Sequence, residues 1–451
     1  MKDADLDALR GIVGADHVLT DRDVIGTYER DWTGRYRGNA GAVVRPASTT
    51  EVAGVIRWCA ARSVGLVPQG GNTGLVGGAV PPDGAVVLST QRLRAVRDID
   101  LAAGQVTVEA GVTPAALAAA LAGSGWELGV DLGARESATI GGMIATNAGG
   151  MRVLRYGSMR ANLLGVEAVL GDGSAISRLG GLVKDNTGFD LAGLLCGSEG
   201  TLGIVTAARL RLVPAWPDRV VAWVGCRSWA DVVGLAGELR REVEGIDGLE
   251  AVDRAGISLA TSVLDVGDPL GSPTDEVGVA LLVAWAGRGD PGERLGALLG
   301  DRPQAVATGH GTIERLWAIR ERQAEAIALR GVPHKLDVTI PVRRLAEFAA
   351  AVERLVAEVR PDAELYLFGH VGDGNLHVNV VGPDRDDLTV DDAVLRLVAA
   401  MGGSISAEHG IGRAKARWLH LVRSDAELDA FRALKAALDP SGILNPGVLL
   451  P

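Results

Sequence analysis

The stretch Gln69-Gly70-Gly71-Asn72-Thr73-Gly74-Leu75-Val76-Gly77-Gly78-Ala79-Val80-Pro81-Pro82 constrains the fold more than any other. It joins a predicted strand at Gly65-Leu66-Val67-Pro68 to another at Ala85-Val86-Val87-Leu88-Ser89, and no helix opens from it. A Rossmann dinucleotide loop needs its glycines at a helix start, where the helix N-terminus meets the pyrophosphate. That fold is therefore excluded. Successive backbone N–H groups in such a loop can still form an anion-binding nest, so a phosphate-bearing cofactor is expected, the alternative being a purely structural loop.

Two further tracts have the same character. Leu132-Gly133-Ala134-Arg135-Glu136-Ser137-Ala138-Thr139-Ile140-Gly141-Gly142-Met143-Ile144-Ala145-Thr146-Asn147-Ala148-Gly149-Gly150 is too long for an ordinary turn, and its small side chains let backbone approach a flat ligand. Cys196-Gly197-Ser198-Glu199-Gly200-Thr201-Leu202-Gly203-Ile204-Val205-Thr206 leads into a predicted strand ending at Pro214. Upstream, Ala42-Val43-Val44 reads as a strand, followed by a helix over Val52 to Ala60 capped from Ser48. An extended cofactor threading the loops would account for them together.

The chain has 451 residues, enough for two or three packed domains. Its 45 Lys+Arg against 56 Asp+Glu give a charge of −11 without a basic patch, which argues against nucleic acid or anionic membrane as partner and favours a small molecule. The N-terminus is acidic, and no stretch stays apolar for the roughly 20 residues of a spanning helix. A soluble cytoplasmic protein with no integral membrane segment is expected. Cys59, Cys196 and Cys226 are odd in number and far apart, which points to inert core thiols rather than disulfides.

Three of the seven histidines fall in Phe368-Gly369-His370-Val371-Gly372-Asp373-Gly374-Asn375-Leu376-His377-Val378-Asn379 and Ser406-Ala407-Glu408-His409-Gly410. Tyr366-Leu367-Phe368 and Leu376 to Val380 read as strands with a glycine-rich turn between them, and alternation puts His377 and Asn379 on one face. A divalent metal takes imidazole and carboxylate readily, so His370, His377 and Glu408 are candidate ligands that leave a position for substrate. The bland alternative is a hairpin whose histidines only cap or pack. Helices are predicted over Thr312 to Leu329 and Val342 to Val359.

Asp31-Trp32-Thr33-Gly34-Arg35-Tyr36-Arg37-Gly38, Pro68 to Gly74 and Leu438-Asp439-Pro440-Ser441-Gly442-Ile443-Leu444-Asn445-Pro446, in that order, resemble the flavoproteins of the vanillyl-alcohol oxidase (PCMH-type) fold. Within that group the chain is most similar to the D-2-hydroxyacid dehydrogenases, over nearly its whole length. The resemblance implies an α+β chain. Residues 1–214 would form a FAD-binding domain of two α/β subdomains, and 215–403 an α+β substrate (cap) domain with an antiparallel sheet. Residues 404–451 would form a helical segment closing the active site.

The same resemblance implies FAD, with Pro68, Gly70, Gly71, Asn72, Thr73 and Gly74 around the pyrophosphate. Gly133, Ala134, Ser137, Gly141, Gly142, Ala145, Thr146, Asn147, Gly203, Ile204 and Val205 would lie along the flavin. Leu75, Gly78, Gly149, Gly157 and Glu199 would be further contacts, and Asn445 would close the site. Because the first loop has Asn72 and no histidine or cysteine, the FAD is expected to be non-covalent. His370, His377 and Glu408 would bind a divalent metal, Zn2+ first. Asn379 and His409 would touch substrate, with His409 as base, and Arg320 and Lys335 would clamp a carboxylate. As isolated residues, the last two would more often be solvated surface charges.

The implied reaction is oxidation of an (R)-2-hydroxy acid to the 2-oxo acid, 2-hydroxyglutarate ahead of lactate (D-lactate dehydrogenase) or malate. The sequence leaves the electron acceptor open among a quinone, an electron-transfer flavoprotein and oxygen, and it leaves the oligomeric state open, a homodimer included. Ala324, four residues after Arg320, stands where the 2-hydroxyglutarate-oxidising members often carry threonine. A glycolate-oxidase-type subunit is the near rival. A flavin-free metallohydrolase is the rival from another class, and it leaves the second and third glycine tracts unexplained. A degenerate, non-catalytic flavin-binding subunit is weighed against by the intact His370, His377, Glu408 and His409 set.

Overall fold

The computed structural model describes residues 1–263, 267–271 and 277–450. Helix Thr49–Arg62 begins where the cap predicts: the Ser48 hydroxyl accepts from the Glu51 amide, and the Glu51 carboxylate accepts from the Ala47 amide. The helix buries Val52, Val55, Ile56 and Cys59. It carries the chain from strand Ala42–Val44 to Leu66–Gln69, and both run parallel to Val86–Ser89, which lies between them. Val18–Leu19 adds an antiparallel edge.

A second sheet is antiparallel, in the order Val96–Asp100, Gln105–Glu109, Ile204–Pro214, Leu163–Val169, Ala175–Ser177, with Trp126–Leu128 pairing beside Ile204–Pro214. Val169 and Ile204 join the core under helix Thr49–Arg62. The mixture of parallel and antiparallel sheets with covering helices is the α+β architecture expected.

The chain forms two compact units. The first holds 1–149, 156–214 and 408–451; the second holds 150–155 and 215–407. In the first unit, the last segment is tied in by backbone. The Leu66 amide donates to the Ile443 carbonyl, and the Asn445 amide donates to the Leu66 carbonyl. The Asp439 carboxylate, held by Lys435, accepts from the Ile443 and Leu444 amides and shapes the turn between.

The second unit is built on a seven-stranded antiparallel sheet. Its order is Gln304–Ala307, Asp218–Cys226, Val279–Gly287, Ile246–Asp253, Glu364–His370, Asn375–Val381, His334–Thr339. Helices Arg254–Val263, His310–Glu321 and Gln323–Ala328 share a core with Val252, Tyr366 and Phe368 on one face.

The helix predicted over Thr312 to Leu329 is in fact two, His310–Glu321 and Gln323–Ala328, meeting at Arg322. The Gln323 carboxamide donates to the Ile319 carbonyl, the acceptor that an unbroken helix would reserve for the Gln323 amide. Ala324 therefore lies across a break from Arg320 rather than one turn along the same helix. Pro341 confines the later helix to Leu345–Val359, with a short 3-10 turn before it. Cys59, Cys196 and Cys226 are all unpaired and buried, and burial pushes their thiols up to about 12, about 11 and about 12. Among the described residues no helix is long and apolar enough to cross a membrane.

Candidate active site

In the first unit the three glycine tracts meet, and the glycines divide by what a side chain would strike. A Cβ at Gly70 would lie 2.2 Å from Thr139 Oγ1, one at Gly71 1.7 Å from the Ser137 carbonyl oxygen, and one at Gly141 2.7 Å from the Ala110 Cβ. Gly70 and Gly71 weld the first two tracts together, and Gly141 seats the second against the end of strand Gln105–Glu109. At Gly74 and Gly133 an added Cβ would meet nothing within 4 Å, and at Gly142 only Thr139 Oγ1 at 3.3 Å. Gly74 and Gly133 leave open space for a ligand.

The second tract holds a helix, Ile140–Thr146, that its glycine content does not predict. Thr139 caps it, with its hydroxyl accepting from the Gly142 amide. Its last turn ties to the third tract: the Gly197 amide donates to the Ile144 carbonyl, and the Glu199 amide to that of Ala145. The Thr146 hydroxyl stays on its own helix, donating to the Gly142 carbonyl. Ala134 closes the turn before the helix, its carbonyl accepting from the Ser137 and Ala138 amides. Gly157 packs against Ala161, Gly203 against Leu195, and Ile204 and Val205 pair with Val169 and Ala168 in the sheet. Gly149 ends the first stretch of this unit.

Asn72, Asn147, Glu199 and Asn445 all adopt left-handed backbone, with φ between 44° and 53°, among only six such non-glycine residues described. Strain of this kind persists where its surroundings over-determine it, and functional sites are where it gathers. The Glu199 carboxylate accepts from the Ile411 and Gly412 amides at 2.8 and 2.7 Å, and burial pushes its pKa up. The Asn445 carboxamide donates to the Gly78 carbonyl at 2.9 Å and the Glu199 carbonyl at 2.7 Å. Its Oδ1 is buried with no protein partner, an acceptor for a donor the chain does not supply. Open glycine faces plus an unsatisfied acceptor fit a flat, hydrogen-bonding cofactor.

In the second unit the candidate residues lie along one face of four adjacent strands. Glu250 stands directly across from His370, His377 from Phe368 on one side and from Asp337 on the other, and Asn379 from Lys335. Strand alternation keeps all of them on the face that helix His310–Glu321 covers. The two imidazole rings are edge to face at 5.4 Å, with a ring nitrogen of each within 4.8 Å of the other.

Each imidazole has a carboxylate behind it. His370 Nδ1 pairs with Glu250 at 2.5 Å, and His377 Nδ1 with Asp337 at 3.4 Å. Asn375 donates to Asp337 at 2.8 Å. The other Glu250 oxygen accepts from Arg320 Nε at 2.8 Å, and the Arg320 guanidinium sits 4.7 Å over the Phe368 ring. Arg320 is buried rather than a solvated surface charge, and burial lowers the Lys335 pKa. The chain reaches Glu408 and His409 directly from Ala407, whose amide donates to the Asp337 carbonyl at 3.3 Å.

Sequence reasoning missed Glu250 and Asp337. The available signal was a carboxylate flanked by apolar residues in each of two short windows, Leu249-Glu250-Ala251-Val252 and Leu336-Asp337-Val338, where an unpartnered charge would be costly.

Comparison with known proteins gives the chain its place. Residues 40–177 match the family described as FAD binding domain, and residues 216–449 the one described as FAD linked oxidases, C-terminal domain. A mitochondrial D-2-hydroxyglutarate dehydrogenase from Bos taurus is 39% identical over 99% of this chain and 83% of its own. D-2-hydroxyglutarate dehydrogenase from Xanthomonas citri pv. viticola is 36% identical over 100% of this chain and 97% of its own. The chain belongs to the FAD-dependent D-2-hydroxyacid dehydrogenase family. It is an FAD-linked oxidoreductase acting on a CH–OH donor. Solved structures of an alkyldihydroxyacetonephosphate synthase (TM-score 0.78, 16% identity, 99% of this chain and 85% of that one) and of p-cresol methylhydroxylase (0.77, 19%, 99% and 96%) share its fold.

Proposed function

We propose that this family member oxidises an (R)-2-hydroxy acid to the 2-oxo acid, with 2-hydroxyglutarate the leading substrate. Relatives of that name at 33–39% identity support the substrate, and the row Glu250, His370, His377, Asp337 beside Arg320 and Lys335 carries the chemistry. FAD is held non-covalently by the glycine tracts, and a divalent metal, zinc first, by His370, His377 and Glu408. The donor set fits such an ion: two imidazoles, each backed by a carboxylate, beside the chain that leads into Glu408.

When bound, FAD supplies the acceptor for the hydride leaving C2, and a divalent metal supplies a Lewis acid for the 2-hydroxyl. The protein's own groups do the rest. Arg320 commits Nε to Glu250 and offers its terminal nitrogens to a carboxylate, while Lys335 adds a point charge. Asn379 orients the substrate from the strand position opposite Lys335. His409 accepts the hydroxyl proton as C2 is oxidised.

An anaerobic titration with (R)-2-hydroxyglutarate, following the visible flavin band, tests this reading. Bleaching by the (R) but not the (S) enantiomer is expected. A yellow, zinc-loaded protein that stays oxidised with 2-hydroxyglutarate, lactate and malate alike would overturn it.

A further inference from the structure

We infer that Glu250 and Asp337 are paired positioning residues, one for each candidate metal-binding histidine, and that Glu250 alone also sets the substrate clamp. The inference rests on the metal reading above and extends it to two residues with both strands of the hairpin between them. Each carboxylate is the direct cross-strand neighbour of its histidine, Glu250 of His370 and Asp337 of His377, on the two strands that flank the hairpin. Both carboxylates are buried, at 0% and 1% exposure. Solvent cannot satisfy them there, so their partners must.

The Glu250 carboxylate at His370 Nδ1 fixes that ring's tautomer with the proton on Nδ1 and gives coordination to Nε2, while Asp337 stands 3.4 Å from His377 Nδ1, an ion-pair distance that favours the same orientation more loosely. Because the two partners stand on opposite sides of the hairpin, the rings are held from outside inward. The two acids differ in what else they grip. Asp337 accepts from Asn375, an amide on the histidine's own strand, and the Arg320 guanidinium pairs with Glu250 instead of with it. Glu250 is completed by Arg320, so His370 and the guanidinium share one carboxylate and neither can turn without the other. The asymmetry separates a loss of metal from a loss of substrate binding.

The experiment uses purified full-length wild type, Glu250→Gln, Asp337→Asn and His377→Ala. Zinc per chain is measured after dialysis against graded chelator, together with flavin content, circular dichroism, KM and kcat. Both carboxamide variants should release zinc at roughly ten- to hundredfold lower chelator than wild type. Only Glu250→Gln should also raise KM. If wild type holds zinc, His377→Ala does not, and the two carboxamide variants match wild type, the positioning role is overturned while the metal reading stands. Equal KM increases in both variants would overturn the special role of Glu250. If wild type itself binds no zinc, the metal reading falls and this inference with it.

Discussion

Around the flavin cradle the first unit presents mainly backbone, with glycines where another chain segment or a ligand comes close and four non-glycine residues held in left-handed conformation. The second unit's site presents side chains: carboxylate, imidazole and guanidinium standing on sheet and helix, each charge answered by the next. A site made of backbone tolerates almost any distant change but no added methyl at its welds. A site made of buried charges tolerates added bulk better than the loss of one partner.

The largest expected effect is a pH dependence centred on Asp253 in the charged region, with the raised Glu199 carboxyl of the cradle acting in the same direction. Desolvation of its carboxyl pushes Asp253, three residues beyond Glu250, up from 3.8 to about 7, although the carboxylate accepts from the Gly256 and Leu367 amides. A raised carboxyl favours the folded protein while protonated. Its contribution is whole below the unfolded value and is lost as pH climbs through about 7. At roughly 1.4 kcal/mol per tenfold change in proton affinity, the loss is on the order of 4 kcal/mol. Urea unfolding at about pH 4 and about pH 8 should show this fall in wild type, and a flatter profile in Asp253→Asn. Equal profiles would remove Asp253 as the cause.

Next in size is a pair of alanines in the cradle. Gly71→Ala, whose Cβ would overlap the Ser137 carbonyl, should cost about 3 kcal/mol and abolish flavin retention. Gly133→Ala should leave the unfolding transition within about 0.5 kcal/mol and weaken only FAD binding. Thermal unfolding with and without added FAD separates the two. If both behave alike, glycines cannot be divided into welds and open faces.

His377→Ala should slow flavin reduction by roughly a hundredfold or more, with loss of metal. His409→Ala should slow reduction with metal and flavin retained, as stopped-flow reduction and elemental analysis would show. The smallest effect belongs to Ala324→Thr. Restoring one neutral hydrogen bond is worth at most about 0.5–1.5 kcal/mol, and the break at Arg322 separates this position from Arg320, so KM should change no more than several-fold.

The same contrast explains what could be read in advance. Gly70 to Gly74 carries its meaning in consecutive residues, so the strand-loop-strand context and the exclusion of a dinucleotide helix follow from local sequence. The histidine hairpin is legible for the same reason. Glu250 and Asp337 act only through register, across strands whose pairing is set by the whole sheet, and no short window contains both partners. Helix Ile140–Thr146 was hidden by its glycines, which lower helix propensity but here allow Gly141 to pack on Ala110. The break at Arg322 depends on one buried glutamine carboxamide taking a backbone carbonyl.

The pairing of Leu66 with the Ile443 to Asn445 stretch has a consequence for how the molecule assembles. The second unit is spliced into the first, so the edge beside Leu66 is completed only by chain synthesised after the whole insertion. Closing so long a loop is entropically expensive while the insertion is a coil, and much cheaper once it has collapsed into a body of its own. Folding of the seven-stranded sheet should therefore precede closure of the cradle, with a flavin-competent state arriving as a late kinetic phase.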